Sequence, residues 1–289
     1  MANPKHALPE NVEGNYFVDS TCINCGVSRH YAPDMFGDTG THAFVKRQPQ
    51  NEKQEFLVKQ ALLACPVGSI GMRDRTDLGA ARASFPVKLA KGVYINGFNH
   101  RDSYGAHSYF IKADTGNWLI DSPRFISDLI KKFENMGGIK YIFLTHRDDV
   151  SDAPQYAKHF NASRIIHRFD SDAQKDAEII LEGNTVHNID AGEIYFTPGH
   201  TRGHCVLLWE SKFLFTGDHY AWIPNLNRFG SFRRACWYSW DEQIASVKKM
   251  QAFEHVEWVF PGHGKWRQVQ KGQFSKVIEE SVQWMLSVR

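Results

Sequence analysis

Four short turns hold the residues best suited to chemistry. They read Thr145-His146-Arg147-Asp148-Asp149-Val150-Ser151-Asp152, Thr197-Pro198-Gly199-His200-Thr201, Thr216-Gly217-Asp218-His219 and Pro261-Gly262-His263-Gly264. Each follows an apolar run that reads as a buried β-strand: Tyr141–Leu144, Glu193–Phe196, Phe213–Phe215 and Trp258–Phe260. Strand ends in an α/β layer converge on one crevice, the usual place for a site. Each turn offers an imidazole or a carboxylate, the neutral and anionic donors that Zn²⁺ or Fe²⁺ takes. One histidine at a strand end is commonly a hydrogen-bonded structural residue. Four such placements together predict a metal centre. The glycines beside His200, Asp218 and His263 permit tight turns that leave the side chain exposed. His204 lies four residues after His200 and is a candidate either to orient it from behind or to cap a strand. His219, beside Asp218, is a second candidate support, with its ring expected to point away from its neighbour's carboxylate. The loop Tyr220–Tyr238 contains Trp222, Arg228, Phe232, Arg233, Arg234 and Trp237. It reads either as a substrate wall favouring an anionic group or as a solvated loop.

The elements that must position these turns are legible as patterns. Strands are expected at Val93–Ile95, Ser108–Lys112, Trp118–Ile120, Arg164–His167 and Cys205–Trp209, besides the four above. The turn before Trp118 is Asp114-Thr115-Gly116-Asn117. Ser127–Asn135 places Leu129, Ile130 and Phe133 at helical spacing, and Gly137-Gly138 stops it. Further helices are expected at Pro154–Phe160, Trp240–Phe253 and Lys271–Val288. Residues 71–86 are polar, small and Pro-terminated and read as a linker. They divide the chain into an N-terminal domain, 1–78, and a larger domain, 79–289, of layered α/β class.

The bulk numbers set limits. The 289 residues are 42% hydrophobic, enough for a large core and a minor domain. With 34 basic against 32 acidic residues the net charge is +2, which gives no reason to expect nucleic acid as a partner. No apolar run approaches the roughly 18 residues of a membrane span, so no membrane association is expected. The first ten residues lack the apolar core of a signal peptide, and five cysteines are an odd number, so a cytoplasmic chain without a disulfide scaffold is expected.

Three of those cysteines form a pattern of their own. Cys22-Ile23-Asn24-Cys25 is a C-x-x-C, and Cys65-Pro66 is a C-P within Ala61-Leu62-Leu63-Ala64-Cys65-Pro66-Val67-Gly68. The stretch from Gly14 to Met72 resembles single-cluster bacterial-type ferredoxins, in which C-x2-C-x2-C and a distant C-P supply four thiolates. Ser28 stands where the third cysteine belongs. The alternatives are a three-iron cluster, a four-iron cluster completed by Ser28, His30 or an external ligand, a Cys₃His zinc site with His30, and a domain without metal. Cys22, Cys25 and Cys65 are the candidate ligands in each metal-bearing case. Cys205 and Cys236 stand alone, and Cys205 is expected as a small buried hydrophobe.

From Val87 onward the chain resembles the metallo-β-lactamase-fold hydrolase superfamily. The resemblance rests on the order and spacing of the Asn96-Gly97, Ser108-Tyr109-Phe110-Ile111 and Leu119-Ile120-Asp121-Ser122-Pro123 segments and the four turns. It implies an αββα sandwich holding one or two ions, zinc or iron, and a metal-bound hydroxide as nucleophile. It also places His100 and His107 near the rim. His146 matches the first histidine of the family's H-x-H-x-D-H loop, and Asp148, or its neighbour Asp149, takes the place of the second. The family's aspartate falls on Val150, or on Asp152 with a two-residue insertion, and then its last histidine is Ala153. His200, Asp218 and His263 match the later ligands, with Asp218 also the candidate catalytic carboxylate. A carboxylate in place of imidazole hardens the site and moves its preference from zinc toward iron or manganese, and flavodiiron relatives of this fold share that replacement.

Three functions follow as expectations. The first is a metal-dependent hydrolase acting on a small ester, thioester or phosphoester. Only one helix follows the last turn, which disfavours a hydroxyacylglutathione hydrolase. The second is an iron-dependent oxidoreductase fed by the ferredoxin-like domain, with a redox protein as partner. The third is a non-catalytic binding protein on a degenerate scaffold, suggested by Ala153 and Ser28.

Overall fold

The computed structural model describes residues 2–289. The chain divides into two compact units. One holds the residues up to Lys112 together with Ser122–Gly138, and the other holds Ala113–Asp121 together with Ile139–Arg289.

In the first unit the strand Tyr16–Val18 pairs antiparallel with Ile70–Met72, and Phe36–Asp38 forms a hairpin with Ala43–Val45. The helix Glu52–Ala64 begins at Asn51, whose side chain accepts the Gln54 N–H at 3.0 Å, and Glu52 and Glu55 occupy its first turn. Its buried face presents Val58, Ala61 and Ala64, and it ends at Cys65-Pro66, where proline cannot extend it. A five-residue helix, Val27–Tyr31, follows Cys25-Gly26. The same unit contains the antiparallel strands Val87–Ala90, Val93–Ile95 and Tyr109–Ile111. Leu129 and Phe133 form the inner face of the helix Ser127–Asn135, and Phe133 stacks on Phe110 at 4.8 Å.

The expected linker at 71–86 is structured. It contains the end of a strand at Met72 and a short helix, Gly79–Ala83. Ala81 and Phe85 are buried, Ser84 Oγ accepts from Gln60 Nε2 at 2.9 Å, and Arg82 pairs with Asp128 at 2.9 Å. Small and polar composition reads as linker in a sequence. Here alanine is small because it is packed, and the polar groups are partnered.

In the second unit the strands Trp118–Ile120, Tyr141–Phe143, Ser163–His167 and Ile179–Leu181 pair parallel in that order. A second sheet runs through His187–Ile189, Gly192–Phe196, Cys205–Trp209, Phe213–Gly217, Trp258–Pro261 and Arg267–Gln268. Its pairs are antiparallel except Phe213–Gly217 with Trp258–Pro261. The two sheets meet face to face. Trp118 packs edge-on against Trp209 at 5.5 Å, and the Cys205 N–H donates to the Thr145 carbonyl at 2.8 Å. On the outer face of the second sheet, Val206, Leu208 and Leu214 pack with Ile244 and Val247 of the helix Trp240–Lys249 and with Ile278 and Met285 of the helix Phe274–Ser287. Strands covered on both faces read as unbroken apolar runs. Cys205–Trp209 and Phe213–Gly217 are buried at every position for that reason.

Most expected elements are present within a residue or two. The helix from Trp240 stops at Lys249 and continues only as a 3-10 turn, Met250–Ala252. The terminal helix starts at Phe274 rather than Lys271. Among the described residues no helix is long and apolar enough to cross a membrane.

Candidate metal centre

All four turns converge in the second unit. His146 follows Tyr141–Phe143, His200 follows Gly192–Phe196, Asp218 directly follows Phe213–Gly217, and His263 follows Trp258–Pro261. Asp218 Oδ2 is their common neighbour. It lies 3.8 Å from His146 Nε2, 3.7 Å from His200 Nε2 and 3.6 Å from His263 Nε2. Asp148 Oδ2 lies 3.8 Å from His146 Nε2 and 3.6 Å from His200 Nε2. Two sets of three donors have ligand atoms close enough to share one ion: His146, Asp148 and His200, and His146, Asp149 and Asp218. Tetrahedral bonds of about 2.0–2.1 Å separate ligand atoms by roughly 3.4 Å, so spacings of this size suit an ion between the donors.

The adjacent aspartates therefore serve different sides. Asp148 and Asp149 sit in a 3-10 turn, Arg147–Asp149. Asp148 is exposed, whereas Asp149 is buried with His146 and Asp218. Asp152 is not brought into the group. It stands at the start of the helix Ala153–Phe160, and its Oδ1 accepts from Gln155 Nε2 at 2.8 Å. Asp149, rather than Asp152, is the carboxylate that groups with His146 and Asp218, and Ala153 is a buried first residue of a helix. Gly262 is required by close approach. A Cβ there would meet Asp218 Oδ1 at 2.4 Å and Asp149 Oδ2 at 3.0 Å.

Charge and burial set the protonation of the group. Burial lowers the His146 pKa to about 4, reinforced by His200, so its imidazole is neutral near pH 7. Burial also acts to lower His200, but Asp148 and Asp218 outweigh it and raise its pKa. Asp218 is buried, which disfavours its ionisation, yet His263, His146 and His200 hold it below the usual carboxylate range. Asp148 is held low chiefly by its contact with His200. The Nε2 of His146 and the Oδ1 of Asp218 are buried without a hydrogen-bond partner. Orphaned donor atoms of this kind, facing one another, are what a site for a cation presents.

Two residues without an assigned role in the sequence reading complete the floor. Asp121 accepts from the Thr145 N–H at 2.8 Å and from the Thr145 hydroxyl at 3.0 Å. Thr145 Oγ1 lies 3.0 Å from His146 Nδ1. With its proton given to Asp121, the hydroxyl accepts from Nδ1–H, a tautomer assigned from the network, and leaves the Nε2 lone pair toward the site. Burial raises the Asp121 pKa to about 8, with Asp218 adding to it and Thr145 opposing it. Asp121 has φ of +54°, a conformation that costs of order 1 kcal/mol in a non-glycine residue. The signal was available, because Asp121 ends the buried strand Trp118–Ile120 as His146 ends its own.

His204 and His219 lie behind His146. The rings of His146 and His204 are 5.2 Å apart, and those of His204 and His219 are 5.1 Å apart, each pair tilted by 30°. His204 does not bond His200. Its Nδ1 lies 3.2 Å from Thr197 Oγ1, and its ring is 6.0 Å from that of His200. Burial lowers the pKa of His204 well below the ordinary range and that of His219 to about 3. In the Tyr220–Tyr238 loop, Ala221–Ile223 and Arg228–Gly230 form a hairpin. Arg228 and Arg233 lie over the rings of Trp284 and Trp240. The end of the loop lies beside a candidate ligand: the Trp237 and Tyr238 N–H groups donate to the His200 carbonyl at 2.9 and 3.1 Å, and the exposed Trp237 ring is 6.3 Å from the imidazole.

In the first unit, Cys22, Cys25, Ser28 and Cys65 line one pocket. Cys22 Sγ accepts the Ala43 N–H at 3.4 Å, and Cys65 Sγ accepts the Ser69 N–H at 3.3 Å. His107, expected at a metal rim, is engaged at both nitrogens. Its Nε2 lies 2.9 Å from His30 Nδ1, and its Nδ1 lies 3.1 Å from Asn99 Nδ2. His100 Nδ1 accepts the Asp102 N–H at 3.0 Å.

Comparison with known proteins agrees with both halves of this description. Residues 18–72 match the family profile described as the 4Fe-4S single cluster domain of Ferredoxin I. Among solved structures, the chain is similar to a metallo-β-lactamase from Pontibacter korlensis, with 16% identity over 69% of this chain and 97% of that one and a TM-score of 0.52. It is similar to a metallo-β-lactamase from Hirschia baltica, with 16% identity over 69% and 96% and a TM-score of 0.54. It is also similar to the DIM-1 metallo-β-lactamase, with 16% identity over 70% and 96% and a TM-score of 0.56. No curated protein matches. The chain has the metallo-β-lactamase fold, an αββα sandwich, and carries a ferredoxin-like region at its N-terminus.

Proposed function

We propose that this chain is a metal-dependent hydrolase whose ions are held by His146, Asp148, Asp149, His200, Asp218 and His263. The observation that carries this reading is the placement of Asp218 Oδ2 within 3.6–3.8 Å of three imidazole Nε2 atoms drawn from three different strand ends. A bound ion at such a site lowers the pKa of water to about 7 and polarises an ester, thioester or phosphoester oxygen. The chain's own residues do the positioning. Asp121 and Thr145 fix the His146 tautomer, Asp218 links the two donor sets, and Gly262 admits the two buried carboxylates side by side. Side-chain exposure is 0% at His146 and 2% at His200, against 44% at Asp148 and 20% at His263. A small substrate therefore enters from the side of Asp148 and His263.

The test is direct. Chelator-treated protein is reloaded with zinc, iron or manganese and assayed against model esters, thioesters, lactams and phosphodiesters. Turnover that returns with metal and is lost in His200→Ala supports the reading. Absence of turnover with every metal, or activity indifferent to His200→Ala, overturns it.

A second reading, an iron-dependent oxidoreductase, is favoured by one observation: the donor groups include three carboxylates, Asp148, Asp149 and Asp218, which are hard ligands. Protein purified anaerobically that holds iron at this centre and reduces a substrate without hydrolysing any of the model compounds would favour it. Zinc at the centre would exclude it.

A further inference from the structure

The pocket in the first unit departs from a four-thiolate site at one identified corner. Cys22 and Cys25 come from the segment leading into the helix Val27–Tyr31, Ser28 from its first turn, and Cys65 from the end of the helix Glu52–Ala64. All four line the same pocket with Val18, Ala43 and Ile70. Two features suit an inorganic cluster. The pocket walls are largely apolar. Two backbone N–H groups, of Ala43 and Ser69, already point at sulfur, as donors to cluster thiolates do.

A single zinc ion suits the geometry less. Zn–S bonds of about 2.3 Å put tetrahedral sulfurs roughly 3.8 Å apart. Among the described residues, Cys22, Cys25 and Cys65 do not form a set with all sulfurs within 4.8 Å. A cube of four irons holds its thiolates farther apart. His30 is not among the residues that line the pocket, and its Nδ1 lies 2.9 Å from His107 Nε2. An external group is hindered on the side of Cys25, where Gly105 (φ +83°) approaches so closely that a Cβ would lie 3.0 Å from the sulfur. Ser28 is buried and at the wall.

The geometry points to a [4Fe–4S] cluster held by the thiolates of Cys22, Cys25 and Cys65, with the fourth iron facing the hydroxyl of Ser28. A hydroxyl is a harder and weaker partner for this iron than a thiolate. The fourth iron is therefore removable and can accept a small oxygen- or nitrogen-donor ligand, whereas the other three are fixed. Ferricyanide takes one electron from [4Fe–4S]²⁺, and departure of the unique iron as Fe²⁺ leaves [3Fe–4S]⁺.

The full-length chain, purified anaerobically, is analysed for iron and sulfide and by electron-spin resonance before and after a brief ferricyanide treatment. Iron at the centre in the second unit is distinguished from cluster iron by the sulfide count. About four cluster irons per chain falling to about three, with the spectrum of a three-iron cluster appearing, is the expected result. Ser28→Cys should retain the fourth iron, slowing its loss by tenfold or more. Wild-type protein that keeps four cluster irons through oxidation overturns the proposal, as does protein that holds zinc and no sulfide. Equal iron loss in wild type and Ser28→Cys also overturns it. Should Ser28→Cys fail to fold, the wild-type iron count decides by itself.

Discussion

The two candidate centres answer the same difficulty differently. Each departs from the pattern it resembles, the strand-end loop at the positions of Asp148, Val150 and Ala153 and the cysteine pocket at Ser28 alone. At the strand-end centre the loop after His146 lacks the expected aspartate at Val150, and the adjacent Asp149 turns inward to join His146 and Asp218. The 3-10 turn at Arg147–Asp149 makes this possible, because it sends consecutive side chains to different sides. At the cysteine pocket the missing thiolate is Ser28, and no neighbouring cysteine is available, since Cys205 and Cys236 belong to the other unit. A loop flanked by carboxylates compensates locally. A helix turn fixed by its own hydrogen bonds keeps whatever residue occupies the position.

The largest effect that would break this contrast is at Asp218. Asp218→Ala removes the atom common to three imidazoles. It should abolish stoichiometric metal binding and lower hydrolysis by roughly a thousandfold or more, since a bound ion supplies several kcal/mol of transition-state stabilisation. Metal analysis and steady-state rates check it, and a variant that still binds metal at full stoichiometry refutes the shared role of Oδ2.

Local compensation is sharpened by a pair of variants. Asp149→Ala should remove one ion or weaken it by at least about a hundredfold. Asp152→Ala should leave metal content unchanged and cost no more than about 1 kcal/mol through the helix start. Equal effects on metal content would mean that the loop is read with the wrong register.

Thr145→Val keeps the shape of the side chain and removes the bridge between Asp121 and His146. Losses of this type weaken metal affinity by about 10–100-fold. Competition with a chromogenic chelator measures it, and unchanged affinity would remove Thr145 from the positioning of His146.

A last effect concerns acid. Folded-state pKa values are lowered to about 4 at His146, to about 3 at His219 and well below the ordinary 6.5 at His204. Below about pH 6.5 these three histidines bind protons in the unfolded chain and not in the folded one, so they make stability rise with pH across this window. Asp121 and His200, whose pKa values are raised, act in the opposite sense. The contribution is complete above pH 6.5 and is lost as pH falls toward 4. The limiting slope is about 1.4 kcal/mol per pH unit for each histidine. Denaturant titrations of metal-free protein at pH 7 and pH 5 should show this fall, and His204→Asn should shrink it.

Much of this architecture was legible because strands covered on both faces are uninterrupted apolar runs, and each such run delivers its next residue to the same edge. That is why His146, His200, Asp218 and His263 could be named from sequence. Asp121 sits in the same position after Trp118–Ile120, but it has no histidine beside it to mark it. Asp148 and Asp149 could not be separated, because the choice depends on a turn geometry that three consecutive polar residues do not encode. The segment 71–86 misled for a related reason. Alanine and serine in a sequence look alike whether they are solvated or, as at Ala81, packed to 1% exposure. The arginines of the Tyr220–Tyr238 loop read either as anion receptors or as solvated groups, and Arg228 and Arg233 lie over the rings of Trp284 and Trp240.

The row of His146, His204 and His219 has a consequence for proton traffic. Three neutral imidazoles in contact, each fully buried, form a floor on which charge is disfavoured. Burial disfavours a proton on His146, whose pKa is lowered to about 4. His204 and His219 behind it offer nothing easier. On the proposed function, protons released or consumed at this centre would not drain inward through the histidines. They would exchange with solvent on the exposed side at Asp148 and His263, and a substrate bound there would close its own proton exit.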